Sequence, residues 1–185
     1  MARGSGGSSD RRSGATSRRP LEVDELLGVI DAHEVEYVII GGFAVAAHGH
    51  PRATKDVDIC PSPKQANLRR LAAALEELEA TPIDLDELRG EFDLRPDYEG
   101  LRQGGNWTLM TKHGRLDVMQ TFSFEGTDEE LGDYTDIAGH AVSRDFYGKP
   151  RKFCGYEDLL AMKHAANRDQ DRIDVNSLKQ ARREL

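Results

Sequence analysis

The segment Asp56-Val57-Asp58-Ile59 constrains this chain more than any other. Successive side chains of a strand alternate between its faces, so Asp56 and Asp58 share one face while Val57 and Ile59 share the other. The apolar pair calls for a core. The two carboxylates repel each other, and a divalent ion such as magnesium, which prefers hard oxygen ligands, turns that repulsion into a binding site. Acidic residues on an exposed edge strand would show the same spacing. The apolar flanks and the place at a strand end, where ligands bind in sheet proteins, favour the ligand reading.

Around this strand the chain reads as alternating helices and strands. Val23, Leu26, Leu27 and Ile30 form one apolar stripe at helical spacing after Leu21. Glu36 to Ile40 reads as a buried strand stopped by Gly41-Gly42, and Phe43 to His48 as a short helix broken by Gly49 and Pro51. Lys55 to Cys60 is the second strand. Ser62-Pro63 then starts a helix with Leu68, Leu71, Leu75 and Leu78 on its buried side. Asn106 to Lys112 and Arg115 to Gln120 form a hairpin around His113-Gly114. Residues 121–139 read as an acidic connection with one helical turn. His140 to Phe146 and Arg151 to Phe153 are strands around Gly148, and Tyr156 to Ala166 and Ile173 to Arg183 are helices. Residues 81–104 are acidic and have no assignable pattern. The expected class is α/β (α+β): a small mixed β-sheet with flanking helices, plus C-terminal helices. The expected organisation is a disordered basic tail over 1–20, one main domain over 21–153, and a helical segment over 154–185 packed on it.

A chain of 185 residues suffices for one ordinary domain with a sizeable core. No stretch reaches membrane-spanning length and the N-terminus lacks an apolar run, so a cytoplasmic protein is expected. Cys60 and Cys154 lie far apart without a partner motif, as reduced thiols do. The first twenty residues carry five arginines against Asp10, a balance of +4, which leaves −12 of the overall −8 on residues 21–185. An acidic body disfavours broad electrostatic capture of nucleic acid.

Arg115-Leu116-Asp117-Val118-Met119 adds a further carboxylate, with Leu116 and Val118 facing one way and Asp117 the other. Asp56, Asp58 and Asp117 together suit two ions roughly 3.5–4 Å apart. One ion would bind a triphosphate and the other would acidify an attacking hydroxyl, with Asp117 placed to receive its proton. Gly41-Gly42 stands where a strand hands over to a helix, which lets backbone approach a phosphate closely. By itself that dipeptide reads as an ordinary turn.

Gly-Gly, a gap, Asp-x-Asp between apolar residues, and a later lone Asp on a strand resemble the nucleotidyltransferase superfamily of DNA polymerase beta. Arg52-Ala53-Thr54-Lys55-Asp56-Val57-Asp58 further resembles AbiEii-type and other minimal nucleotidyltransferases, many of them toxins of bacterial toxin–antitoxin pairs. The likeness covers Val38 to Gln120 clearly and the C-terminal helices loosely. It implies transfer of a nucleoside monophosphate from an NTP, such as ATP, to a hydroxyl with release of pyrophosphate. Asp56, Asp58 and Asp117 would be catalytic and metal-binding, with two Mg2+ ions or Mn2+ in their place. Gly41, Gly42, Arg52, Lys55 and Lys163 would bind the nucleotide. The implied acceptor is RNA such as tRNA, or else a protein or small molecule, and a cognate antitoxin is the implied partner. A non-catalytic nucleotide- or partner-binding protein of the same fold is the rival reading.

Asp158-Leu-Leu-Ala-Met-Lys163 and the cluster to Asp171 resemble the same proteins, yet Lys163 reads equally well as a surface lysine. Arg52 and Lys55 read equally well as solvated loop charges. His48 and His50 lack further ligands, and Trp107 reads as core more readily than as a base platform, with Tyr98 beside it as a weaker candidate. Arg144, Lys149, Arg151 and Lys152 form a basic strip, read first as a solvated hairpin and second as a guide for RNA.

Overall fold

The structure, a computed structural model, describes residues 20–83, 95–122 and 132–183. The basic tail, apart from Pro20, lies outside the described residues, as does part of the unassigned acidic stretch. Helix α1 (Val23–Ala32) forms as expected, with Val23, Leu26, Leu27 and Ile30 buried and Asp24 and Glu25 complementing the positive end of its dipole. Strand β1 (Tyr37–Ile39) is wholly buried and runs into α2 (Gly41–Ala47). This helix starts two residues ahead of the expected Phe43, because Gly41 takes a left-handed backbone with φ of 61° that turns the chain directly from strand to helix.

Strand β2 (Asp56–Pro61) and helix α3 (Gln65–Glu77) follow. Buried Asn67 ties them to β1: its side chain accepts from the Glu36 amide at 2.7 Å and donates to the Glu36 and Ser62 carbonyls at 2.9 Å. The acidic stretch contains β3 (Thr81–Pro82) and α4 (Tyr98–Leu101), both too short to leave a periodic pattern. Strands β4 (Asn106–Thr111) and β5 (Gly114–Met119) make the expected hairpin, with Lys112-His113 at its turn and Gly114 already in β5. Helix α5 (Tyr134–Gly139) is started by a reciprocal cap between Asp133 and Asp136.

Strands β6 (Val142–Phe146) and β7 (Lys149–Phe153) form the second hairpin. Helix α6 (Tyr156–Ala166) ends at Asn167 in a left-handed cap, and α7 (Asp169–Arg183) begins four residues before the expected Ile173. Among the described residues the sheet has seven strands in the order β3-β4-β5-β2-β1-β7-β6. β2 lies parallel to β5 and antiparallel to β1, while β1 lies parallel to β7. One hydrophobic core runs through sheet and helices. Helix α6 packs against both α2 and α7, which brings the C-terminal helices to the end of β1 where Gly41 and Asp58 lie. No described helix is long and apolar enough to cross a membrane.

Candidate active site

Register decides the site. Across the parallel pair, Asp58 stands opposite Asp117 and Asp56 opposite Arg115, while Val57 and Leu116 pair on the other face. Three carboxylates and one guanidinium therefore share one patch. Gly41 is packed so tightly on Asp58 that an added Cβ would overlap its carboxylate, and Thr54 and Arg52 leave no room for one at Gly42. The Gly42 amide donates to the Asp58 carboxylate. As placed, that amide serves the aspartate rather than facing open space.

The electrostatics of the patch are unbalanced. Burial, then the charges of Asp56 and Asp117, push the Asp58 carboxyl up to about 7, with the Gly42 amide and Lys163 opposing. Burial raises Asp117 as well, although hydrogen bonds and charge from Arg115 hold it back. Arg115 donates to both Asp117 oxygens, Nε at 3.1 Å and Nη2 at 3.0 Å, and its Nε stands 3.7 Å from Asp56.

A cavity of about 300 Å³ opens over this patch. Gly41, Asp58, Asp117, Lys163, Arg168 and Asp171 line its polar part, and Ile40, Met119, Phe122, Leu159 and Met162 its apolar part. Lys163 is not the surface lysine that the helix pattern allowed. Only 6% exposed, it donates to Asp171 at 2.8 Å and lies 2.9 Å from Asp174. Burial works to raise both of these acids. For Asp171 the hydrogen bonds of Arg168 and Lys163 outweigh it, and for Asp174 those of Gln170, Lys163 and Arg52 do, so both sit below the usual carboxylate range.

Arg52 crosses from the loop before β2 to α7, with Nε 2.9 Å from one Asp174 oxygen and Nη2 donating to the other at 3.1 Å. Lys55 is exposed at the start of β2 and is not among the residues lining the cavity. Of the expected site residues, Gly41, Asp58, Asp117 and Lys163 thus line one cavity, Gly42 and Asp56 adjoin it, and Arg52 is engaged by Asp174. Arg115 and Asp174 were given no role by the sequence reading, and Asp171 entered it only as the end of the cluster that follows Lys163. The sequence did signal Arg115, which stands two residues before Asp117 and so must share its face.

For a hard divalent ion the donor chemistry of Asp56, Asp58 and Asp117 fits, since all ligands are carboxylate oxygens. In the described arrangement the three do not converge, and among the described residues no group of three or more His, Cys, Asp or Glu is placed to hold an ion. Arg115 stands between two of them.

The weaker candidates have other duties. His48 Nε2 lies 2.9 Å from the Cys154 carbonyl, Trp107 is core, and Tyr98 lies under Arg69 at 3.9 Å. The basic strip is split: Arg151 is buried against Asp31 at 2.8 Å, while Arg144, Lys149 and Lys152 stay exposed. Burial pushes both the Cys60 and the Cys154 thiol up to about 12, consistent with unreactive reduced cysteines.

No protein-family model matches the chain, and no curated protein does either. Among solved structures, the chain is similar to ANT(2'')-Ia in complex with adenylyl-2''-tobramycin. The two are 15% identical over 84% of each chain, with a TM-score of 0.52. It is also similar to the lincomycin-bound lincosamide antibiotic adenylyltransferase LnuA, at 15% identity over 88% of this chain and 99% of that one, again with a TM-score of 0.52. The fold is that of the nucleotidyltransferases. Among the described residues the mixed sheet with flanking helices is accordingly the fold class expected from the sequence and the fold of these two structures.

Proposed function

We propose that the chain is a metal-dependent nucleotidyltransferase that moves a nucleoside monophosphate from an NTP to an acceptor hydroxyl and releases pyrophosphate. The observation that carries this reading is the in-register placement of Asp58 beside Asp117, with Asp56 on the same face, at the mouth of a cavity that also presents Lys163. Asp56, Asp58 and Asp117 would hold Mg2+ or Mn2+. When bound, the ions neutralise triphosphate charge and acidify the attacking hydroxyl.

The protein's own part is positioning. Lys163, immobilised by Asp171 and Asp174, offers a fixed positive charge to phosphate oxygens inside the cavity. The apolar wall of Met119, Phe122, Leu159 and Met162 excludes water and gives a base or acceptor ring a surface to lie on. Gly41 keeps the backbone clear of Asp58. Asp117 is the carboxylate we assign to the hydroxyl proton. Lys55, exposed beside Asp56, is assigned to the outer phosphates, and Arg52 to holding the loop that carries it.

We assign the acceptor to RNA such as tRNA, with a cognate antitoxin as partner, on the resemblance of Arg52 to Asp58 to the minimal toxin-type enzymes. A small hydroxylated molecule is the second reading. It is favoured by tobramycin and lincomycin in the two similar structures and by the −12 charge of residues 21–185. The test is incubation with magnesium and each α-labelled NTP, in the presence of total RNA, cell extract or small polyhydroxylated compounds. Label on RNA supports the first reading, and label on a small molecule replaces it with the second. If no NTP is consumed and Asp56→Ala behaves as wild type, the enzymatic reading is lost.

A further inference from the structure

The corner between α6 and α7 holds more positive charge than its own acids match. Lys163, Arg168 and Arg52 meet Asp171 and Asp174 there, three cations against two carboxylates. Both acids sit below the usual carboxylate range and are ionised at neutral pH, so one positive charge is left over. We propose that Arg168 presents this charge to the substrate, its guanidinium gripping the β and γ phosphates of an NTP in the cavity. The inference rests on the nucleotidyltransferase reading of that cavity.

Three observations carry it. The first is where the leftover charge can act. The Lys163 side chain is 7% exposed and lies 2.8 Å from Asp171 and 2.9 Å from Asp174, so two acids offset most of its pull on an anion. Arg52 is joined to Asp174 and is not among the residues lining the cavity. Arg168 does line the cavity, and its side chain is 75% exposed.

The second is how the arginine is held. Its Nε donates to Asp171 at 2.8 Å, and its backbone amide donates to the same oxygen at 3.2 Å. The other Asp171 oxygen accepts from Lys163, and the left-handed cap at Asn167 closes α6 immediately before Arg168. One buried carboxylate thus fixes both the backbone of this corner and the base of the guanidinium. Nη1 and Nη2 make no hydrogen bond among the described residues. A guanidinium anchored through Nε keeps those two nitrogens as a fork that suits phosphate oxygens. As an exposed pair with a residue three positions on, Arg168 and Asp171 contribute little to stability.

The third is what it faces. The hydrogen bond to Asp171 does most to hold Arg168 above its usual value, and the charges of Asp58 and Asp56 add to it. Arg168 therefore stands within electrostatic reach of the strand acids, on the same cavity as Asp58 and Asp117. Bare phosphate is repelled by those acids, so the wall that attracts it is the α6–α7 corner. Lys163 supplies a fixed charge deep in that wall, and Arg168 supplies the donors at its exposed rim.

The experiment is a calorimetric titration of the full-length protein in Mg2+ with each NTP and the corresponding nucleoside monophosphate, for wild type, Arg168→Gln and Arg168→Lys. Loss of charge-assisted hydrogen bonds to the outer phosphates is expected to weaken NTP binding about tenfold in Arg168→Gln and to leave monophosphate binding unchanged. Arg168→Lys, which keeps the charge but cannot fork, should fall between that variant and wild type. Equal NTP affinity in wild type and Arg168→Gln overturns the proposal. So does an equal loss for NTP and monophosphate, which would mark a residue that merely shapes the corner.

A second measurement needs no variant and covers the case in which a substituted chain fails to fold. In wild type, Arg168 should react with phenylglyoxal, followed by mass spectrometry of its peptide, and saturating NTP should slow that reaction severalfold where the nucleoside alone does not. An unprotected Arg168 in NTP-saturated protein also overturns the proposal. A wild-type protein that binds no NTP at millimolar concentration instead sinks the nucleotidyltransferase reading, and the inference with it.

Discussion

The candidate site is flanked by two groups of buried charge built on opposite plans. On the strands, Asp56, Asp58 and Asp117 crowd one face with Arg115 beside them and Lys163 across the cavity, and Asp58 is driven up to about 7 by burial and by its acidic neighbours. On the helices, Asp171 and Asp174 are more deeply buried, yet Arg168, Lys163, Gln170 and Arg52 satisfy them and hold both below the usual carboxylate range. Burial alone would raise every one of these acids. What separates Asp58 from Asp171 and Asp174 is whether a hydrogen-bonding cation accompanies the carboxylate, while Asp117 stays raised because burial outweighs its Arg115 fork. The helix acids are matched by cations as folded, whereas the strand acids carry an excess of negative charge.

Substitution in the strand group should give the largest effect and the sharpest contrast. Asp58→Ala and Asp117→Asn are expected to lower nucleotidyl transfer by about a thousandfold or more. Melting temperatures in chelator should stay level or rise, because a repelling charge has gone. A fall comparable to that of the helix group would erase the distinction between the two.

Next in size is the helix group. Asp174→Asn leaves Lys163 and Arg52 short of a partner in a dry setting and should cost about 3 kcal/mol in denaturant unfolding. Adding Lys163→Met to it should cost less than the sum of the two single losses, since both remove the same Lys163–Asp174 pair. If the double variant is merely the sum of the singles, these residues do not act as a unit.

Acidity should then separate the groups by sign. Asp58 has a folded value above its ordinary 3.8, so its contribution to metal-free stability is whole below about pH 3.8 and is lost as pH rises through about 7. Asp171 and Asp174 have lowered folded values, so theirs is present above the ordinary carboxylate range and is lost on acidification through the depressed value. Thermal melts in chelator should show both limbs. Asp58→Asn should shrink the alkaline limb, leaving the part due to the raised Asp117, and should leave the acid limb in place; added Mg2+ should flatten the alkaline limb in wild type.

The smallest effect concerns the bridge between the groups. Arg52→Ala should cost about 1 kcal/mol, because Lys163 and Gln170 still hold Asp174. A severalfold rise in KM for NTP beyond that loss would show that Arg52 also meets phosphate. An unchanged KM confines it to the bridge.

Elements with a clean period were legible from residues alone. Leu26, Leu27 and Ile30 marked α1, and the alternation in Asp56–Ile59 and Leu116–Val118 marked β2 and β5. The stretch containing β3 and α4 was not, because two and four residues cannot establish a period. Lys163 stayed ambiguous for another reason. The helix pattern places it on α6 but cannot say that Asp171 and Asp174 arrive from α7 to cover it. The basic strip misled in the same way: Arg151 counts as a surface charge in sequence and becomes a buried partner of Asp31 once the fold brings that α1 carboxylate to it.

By itself the sequence determined that Asp56 and Asp58 point the same way, that Asp117 opposes its apolar neighbours, and that Gly41-Gly42 precedes them. These are consequences of backbone geometry over a few residues. Only the tertiary structure decided which charges face those carboxylates: Arg115 through the parallel register of β2 and β5, and Lys163 through the docking of α6 and α7. Strand register and helix docking are set by the packing of a whole core, and no local spacing encodes them.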